Sequence, residues 1–270
     1  MTKTIFITGS TDGIGLETAK MILQKGHRVL LHGRNPKKLE AVNAELSALG
    51  EVAGYIADLS DMNAVIKLAK EISDKNPVLD VLINNAGVLK TPNPITEDGL
   101  DIRFAVNTIA PYLLTKHLLP LLSNGRVINL SSAAQAPVNL DALAGKNGAL
   151  DAMTAYSQSK LAIAMWSHQM AQALGDTGPI IITVNPGSML GSKMVREGFG
   201  VAGHDLAIGA NILTRLSLDA EFADKSGHYF DNDSGRFTHP HPDALDASKI
   251  SKMTEIIEAI ICNGSGKIPI

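Results

Sequence analysis

Tyr156-Ser157-Gln158-Ser159-Lys160 sets a phenol and an ammonium four positions apart, a spacing that stacks both on one face of a helix. A free phenol titrates near ~10, and an adjacent ammonium lowers that value, which suits the pair to acid–base work near neutral pH. A second constellation, Thr8-Gly9-Ser10-Thr11-Asp12-Gly13-Ile14-Gly15, has the glycines of a phosphate-cradling turn. Gly9 allows a sharp turn, Gly13 lets backbone approach a pyrophosphate and Gly15 permits close helix packing, while a helix N-terminus offers free N–H groups. No Gly-Lys-Ser/Thr follows, which argues against a nucleoside-triphosphate loop.

These side chains need elements to hold them. Apolar runs at Thr4 to Thr8, Arg28 to His32, Val52 to Ala57, Val81 to Asn84, Arg126 to Leu130, Ile180 to Val184 and His228 to Phe230 predict seven strands. Helical segments alternate with them, the pattern of βαβ units around a parallel sheet. Asn35-Pro36 opens one helix, with Leu39, Val42, Leu46 and Leu49 at helical spacing, and Met62, Val65, Ala69 and Ile72 repeat the pattern. A longer helix spans Leu100 to Leu122, where Pro111 predicts a bend, and another spans Tyr156 to Leu174. The glycine-rich turn therefore joins the first strand to the first helix. At the end of the second strand stands His32-Gly33-Arg34-Asn35, with no carboxylate to accept from a ribose 2′-hydroxyl. Arg34 is the candidate clamp for a 2′-phosphate, so NADP(H) is expected over NAD(H), with Asp12 the one charge opposing an anion.

With 270 residues, 24 Lys plus Arg and 27 Asp plus Glu, the chain predicts a single domain over 1–270, without a basic stretch for nucleic acid. Cys262 is the only cysteine, which excludes an internal disulfide and a cysteine-based zinc cage. The first residues run straight into a strand, leaving no room for a secretory leader, and no stretch is apolar enough for a membrane anchor; a cytoplasmic protein is expected. His239-Pro240-His241-Pro242-Asp243 lacks a third convincing ligand, so no metal site is expected. Two long connections, at about 135–153 and 187–205, interrupt the alternation. The second carries Met189, Leu190, Met194, Val195, Phe199 and Val201 among glycines and reads as an apolar lid; the first contributes Pro137, Val138, Leu140 and Leu143. Together they favour a medium-sized, mainly apolar ligand.

Taken in order from Thr4 to about Phe230, these motifs resemble the short-chain dehydrogenase/reductase family. Thr8 to Gly15 is similar to its first turn, Asp58-Leu59 to its adenine-contacting pair, and Asn84-Asn85-Ala86-Gly87 to the signature after its fourth strand. Asn107 matches its helix asparagine, Ser132 its catalytic serine, Tyr156 and Lys160 its active-site pair, and Pro186-Gly187, with Ser188, the turn after its sixth strand. The resemblance implies a doubly wound Rossmann fold with strand order 3-2-1-4-5-6-7. It also implies hydride transfer to or from a carbonyl carbon, with Asn107, Ser132, Tyr156 and Lys160 catalytic. Tyr156 would donate the proton, Ser132 stabilise the oxygen, Lys160 lower the tyrosine pKa and hold the ribose, and Asn107 fix a water. Ser131 also bears a hydroxyl, and only the resemblance selects Ser132. The family's amide-binding threonine is replaced by Gly191, with Ser192 next. Ser132 and Tyr156 stand 24 positions apart, as in the branch of retinol dehydrogenases and protochlorophyllide reductases. The family often assembles into homo-oligomers, whereas the branch with the wider serine spacing is frequently monomeric, so the resemblance implies either state. A sensor that binds NADP(H) without turnover is the alternative.

Overall fold

The computed structural model describes residues 1–264, with side chains as far as Cys262; residues 265–270 of the expected single-domain span lie outside the described residues. Seven parallel strands appear within a residue or so of their expected limits: β1 (Thr4–Ile7), β2 (Arg28–Gly33), β3 (Val52–Ile56), β4 (Val81–Asn84), β5 (Arg126–Leu130), β6 (Ile180–Asn185) and β7 (Tyr229–Asp231). The sheet has an eighth strand, β8 (Arg236–Thr238), antiparallel to β7, and the order is 3-2-1-4-5-6-7-8. Seven strands was thus one too few. The missed strand is three residues long, too short to show an apolar period, although Asp231-Asn232-Asp233-Ser234-Gly235 before it is rich in turn formers.

Both sheet faces are covered, which is why central strands such as Ile5-Phe6-Ile7 and Val81-Leu82-Ile83 are apolar at every position and fully buried. One face carries α1 (Gly13–Gln24), α2 (Pro36–Leu46) and α9 (Leu206–Leu218), through Ile22, Leu39, Val42 and Leu213. The other carries α3 (Met62–Lys75), α5 (Ala110–Leu118), α7 (Ala152–Leu174) and α10 (Ala247–Gly264). Trp166 of α7 is the largest fully buried side chain and meets Tyr112 of α5 edge-on at 5.5 Å. Ile250, Met253 and Ile257 of α10 join the same core, and Glu258 accepts hydrogen bonds from the Tyr112 hydroxyl and the Lys116 ammonium. Leu49, expected on the α2 stripe, is 41% exposed because that helix stops at Leu46.

The long helix is not regular. A short α4 (Ile102–Phe104) passes into a π-helical turn, Ala105–Ile109, before α5 begins. Pro111 has no N–H to give the Asn107 carbonyl four residues earlier, so an α-ladder cannot run through this point. The expected bend at Pro111 therefore takes the form of a wider turn centred on Asn107. In the first long connection, α6 (Leu140–Leu143) packs inward, with Leu143 fully buried in the core. In the second, α8 (Lys193–Phe199) forms a short helix outside the sheet.

Candidate active site

Strand order reverses between β1 and β4, and the segments leaving their C-terminal ends meet there, as ligand crevices in open parallel sheets require. Thr8 Oγ1 accepts from the N–H groups of Asn85 and Ala86, both at 3.0 Å. Asn85 Nδ2 donates to the carbonyls of Thr8 and Gly9, at 2.8 and 3.1 Å. This close approach requires the glycines: a Cβ on Gly9 would lie 2.9 Å from the Ala86 Cα, and one on Gly15 would lie 2.4 Å from Asn85 Nδ2. The Ile14 and Gly15 N–H groups, in the first turn of α1, have no acceptor among the described residues. A backbone cradle at a helix N-terminus is what a pyrophosphate fits.

Several residues expected at the cofactor are also engaged within the protein. The Ser10 hydroxyl is fully buried and paired with the His32 backbone; Leu59 is sunk in the core; Asp58 accepts from Ser60 within its own turn. Asn85 is a brace. Thr11 packs on Gly33 at the end of β2, next to Arg34, which is exposed and has no partner among the described residues. Asp12 caps α1 by accepting from Gly13 N–H and pairs with Lys38 at 2.6 Å, so its charge is largely offset.

Sequence reading gave His32 no role. Its Nδ1 accepts from Gly9 N–H at 3.1 Å, so Nε2 carries the proton, 3.2 Å from the Ala57 carbonyl beside Asp58. One buried imidazole thus ties the glycine-rich turn, the end of β2 and the end of β3 together, and burial pushes its pKa down to about 4. The available signal was a polar ring ending an otherwise apolar buried strand.

Asp151 caps α7, whose first turns carry the dyad. Tyr156 is half-buried, and the Ser132 side chain is close enough to its phenol to favour the ionised form. Lys160 Nζ lies 5.6 Å from the Tyr156 ring centroid and donates to the Leu130 carbonyl at 2.7 Å. Ser131 faces away, its hydroxyl bonded to the Lys160 carbonyl at 2.6 Å, so geometry now separates the two serines. Asn107 Oδ1 accepts from Val88 N–H at 2.8 Å, and its Nδ2 donates to the Val88 carbonyl and to Ser159 Oγ, both at 3.0 Å. Its side chain braces the β4 loop against α7. A Cβ on Gly87 would touch Asn107, Lys160 Nζ and the Met194 methyl at 3.5 to 3.6 Å, which places all four at one point of the cleft.

The dyad departs from expectation in one respect. Burial raises the Tyr156 pKa, partly opposed by Ser132, and pushes Lys160 down to about 8. The ammonium reaches the ring and the Leu130 carbonyl, leaving desolvation dominant at the phenol.

The second long connection comes close to this cleft. Ser192 Cβ would lie 3.8 Å from a Cβ on Gly13 and Met194 reaches Gly87, while Phe199 and Val201 stay 48% and 43% exposed. Gly191 has a structural reason: its Cβ would lie 2.9 Å from the Ala202 carbonyl and 3.0 Å from that of His204, where the two ends of this connection meet. A threonine there would not fit.

The family model for short chain dehydrogenases matches residues 3–199, and the chain belongs to that family of oxidoreductases. It falls on the retinol-dehydrogenase-like branch. It is 31% identical over 253 residues to human retinol dehydrogenase 13, covering 85% of this chain and 76% of that protein. Over 203 residues it is 35% identical to human retinol dehydrogenase 11, covering 72% of this chain and 63% of that one. A metagenomic short-chain oxidoreductase solved in complex with NADP superposes with TM-score 0.62 at 29% identity, covering 81% of this chain and 92% of the other. Among the described residues no helix is long and apolar enough to cross a membrane.

Proposed function

We propose that the chain transfers hydride between NADP(H) and the carbonyl or secondary alcohol of a medium-sized, mainly apolar substrate, as one catalytic domain working in the cytoplasm. The observation that carries this reading is the convergence of Tyr156, Ser132 and Lys160 beside Gly87, at the crevice where a dinucleotide cradle begins. NADP(H), when bound, supplies or accepts the hydride.

The protein residues supply position and a proton. The Gly9–Gly15 turn, with the Ile14 and Gly15 N–H groups, holds the pyrophosphate, and Arg34 holds the 2′-phosphate. Gly87, Pro186, Gly187 and Ser188 border the nicotinamide end, and Lys160 offers its remaining N–H donors to the ribose. In the reductive direction Tyr156 gives its proton to the substrate oxygen, and the Ser132 hydroxyl donates to that same oxygen as charge develops on it. A phenol raised by burial is fully protonated at neutral pH, the form that reduction needs. Asn107 acts through its bonds to Val88 and Ser159, fixing α7 against the β4 loop. Met194 and its apolar neighbours on the lid favour an apolar substrate.

Purified chain mixed with NADPH and a panel of aldehydes, ketones and quinones should oxidise the cofactor, followed by its absorbance. Tight NADPH binding with no turnover on any partner would support the sensor instead. Arg34→Ala should weaken NADPH by about tenfold or more and leave NADH within about twofold, since only the former has the 2′-phosphate. Equal losses by titration would remove the phosphate role.

A further inference from the structure

The turn between β7 and β8 lies beyond residues 3–199 and reaches back to the cofactor side of β6. Asp231 serves this hairpin as well as β6: its carboxylate accepts from Ser234 N–H and Asp233 N–H, and from Asn185 Nδ2 at 2.8 Å. Asp233 is different. Its carboxylate accepts from Ser188 N–H at 2.8 Å, from the Ser188 hydroxyl at 2.5 Å and from Asn185 Nδ2 at 2.9 Å, and makes no bond within its own hairpin. Asn232 Nδ2 donates to the Pro186 carbonyl at 2.9 Å. Neither acid takes part in an ion pair among the described residues; these donors alone hold the Asp233 carboxyl below the usual carboxylate range. Hydrogen bonds to an ionised acceptor are about twice as strong as neutral ones.

The held segment is the root of the lid. Met189 follows Ser188 with φ of 53°, the one positive-φ residue other than glycine among the described residues. Just beyond it, His204 N–H donates to the Met189 carbonyl at 2.7 Å and Gly191 N–H to the His204 carbonyl at 2.6 Å. The left-handed residue thus sits between two fixed points, and the clamp on its N-terminal side is a carboxylate spent wholly on that purpose.

We propose that Asp233 is a positioning residue: it fixes the Pro186–Ser188 turn and the root of the lid, and so sets how tightly the cofactor is held without taking part in the chemistry. This rests on the NADP(H) reading above. In Asp233→Ala the dissociation constant for NADPH, from fluorescence titration without substrate, rises about tenfold, the size of one lost charge-assisted anchor. At saturating NADPH kcat stays within about twofold, so the loss falls on KM, and amide exchange at 188–191 quickens in the cofactor-free chain. Asp233→Asn keeps the size and one acceptor oxygen but sets an N–H₂ against the donors of Ser188 and Asn185. It shows a smaller change of the same kind and serves as the readout if Asp233→Ala does not fold. Unchanged exchange at 188–191 overturns the clamp, and faster exchange with NADPH affinity within twofold overturns its role in cofactor retention. If the unmodified chain binds no NADPH, the cofactor reading is what fails, and exchange in the cofactor-free chain still decides whether Asp233 anchors the turn.

Discussion

Replacing Tyr156 by phenylalanine is expected to lower kcat by about 10²- to 10⁴-fold, the range general acid–base catalysis supplies, with NADPH affinity within about twofold. The substitution removes one oxygen. The ring that faces Lys160 at 5.6 Å remains, as does the main-chain carbonyl that accepts from Ser159 Oγ at 2.7 Å, so the start of α7 has no reason to move. What disappears is the proton donor and the partner of the Ser132 side chain. Steady-state rates with any substrate of the panel, beside a titration of NADPH, separate the two effects. Full activity in Tyr156→Phe would mean that another group delivers the proton.

The second large effect is acid sensitivity at His32. Its folded pKa, about 4, lies below the ordinary histidine value of 6.5, so the unfolded chain takes up a proton first. The stability this group contributes is therefore intact above pH 6.5 and lost as the pH falls toward 4, by about 3 kcal/mol for a shift of that size. Protonation also sets an N–H at Nδ1 against Gly9 N–H, which loosens the turn assigned to the pyrophosphate. Urea unfolding at pH 7 and pH 4.5, compared with His32→Gln, isolates this group from the carboxylates that titrate in the same interval. An equal acid loss in both proteins would dismiss His32 as its source.

Much of this architecture was legible because it rests on local rules. Continuous apolar runs mark strands covered on both faces, and the spacing of Leu39 and Val42, or of Met62, Val65, Ala69 and Ile72, marks the buried stripes found here. Tyr156, Lys160 and the glycine-rich turn were legible for the same reason, since i,i+4 stacking and positive φ are properties of short segments. Contacts between distant segments were not. Nothing near His32 announces that its ring will meet Gly9 and Ala57, and nothing near Asp233 announces Ser188, 45 positions earlier. The direction of the Tyr156 shift was missed likewise: sequence shows an ammonium four residues away but not the desolvation that raises the phenol.

The antiparallel β8 has a further consequence for how molecules of this chain behave in a crowded solution. A parallel sheet ending at β7 would present the open backbone of Tyr229 and Phe230 as a template for a foreign strand. Instead the outermost strand on that side is three residues long and begins with exposed Arg236. A short rim bearing a charge is a poor seed for edge-to-edge aggregation. The hairpin whose turn reaches inward to Ser188 thus also keeps neighbouring molecules from growing onto the sheet.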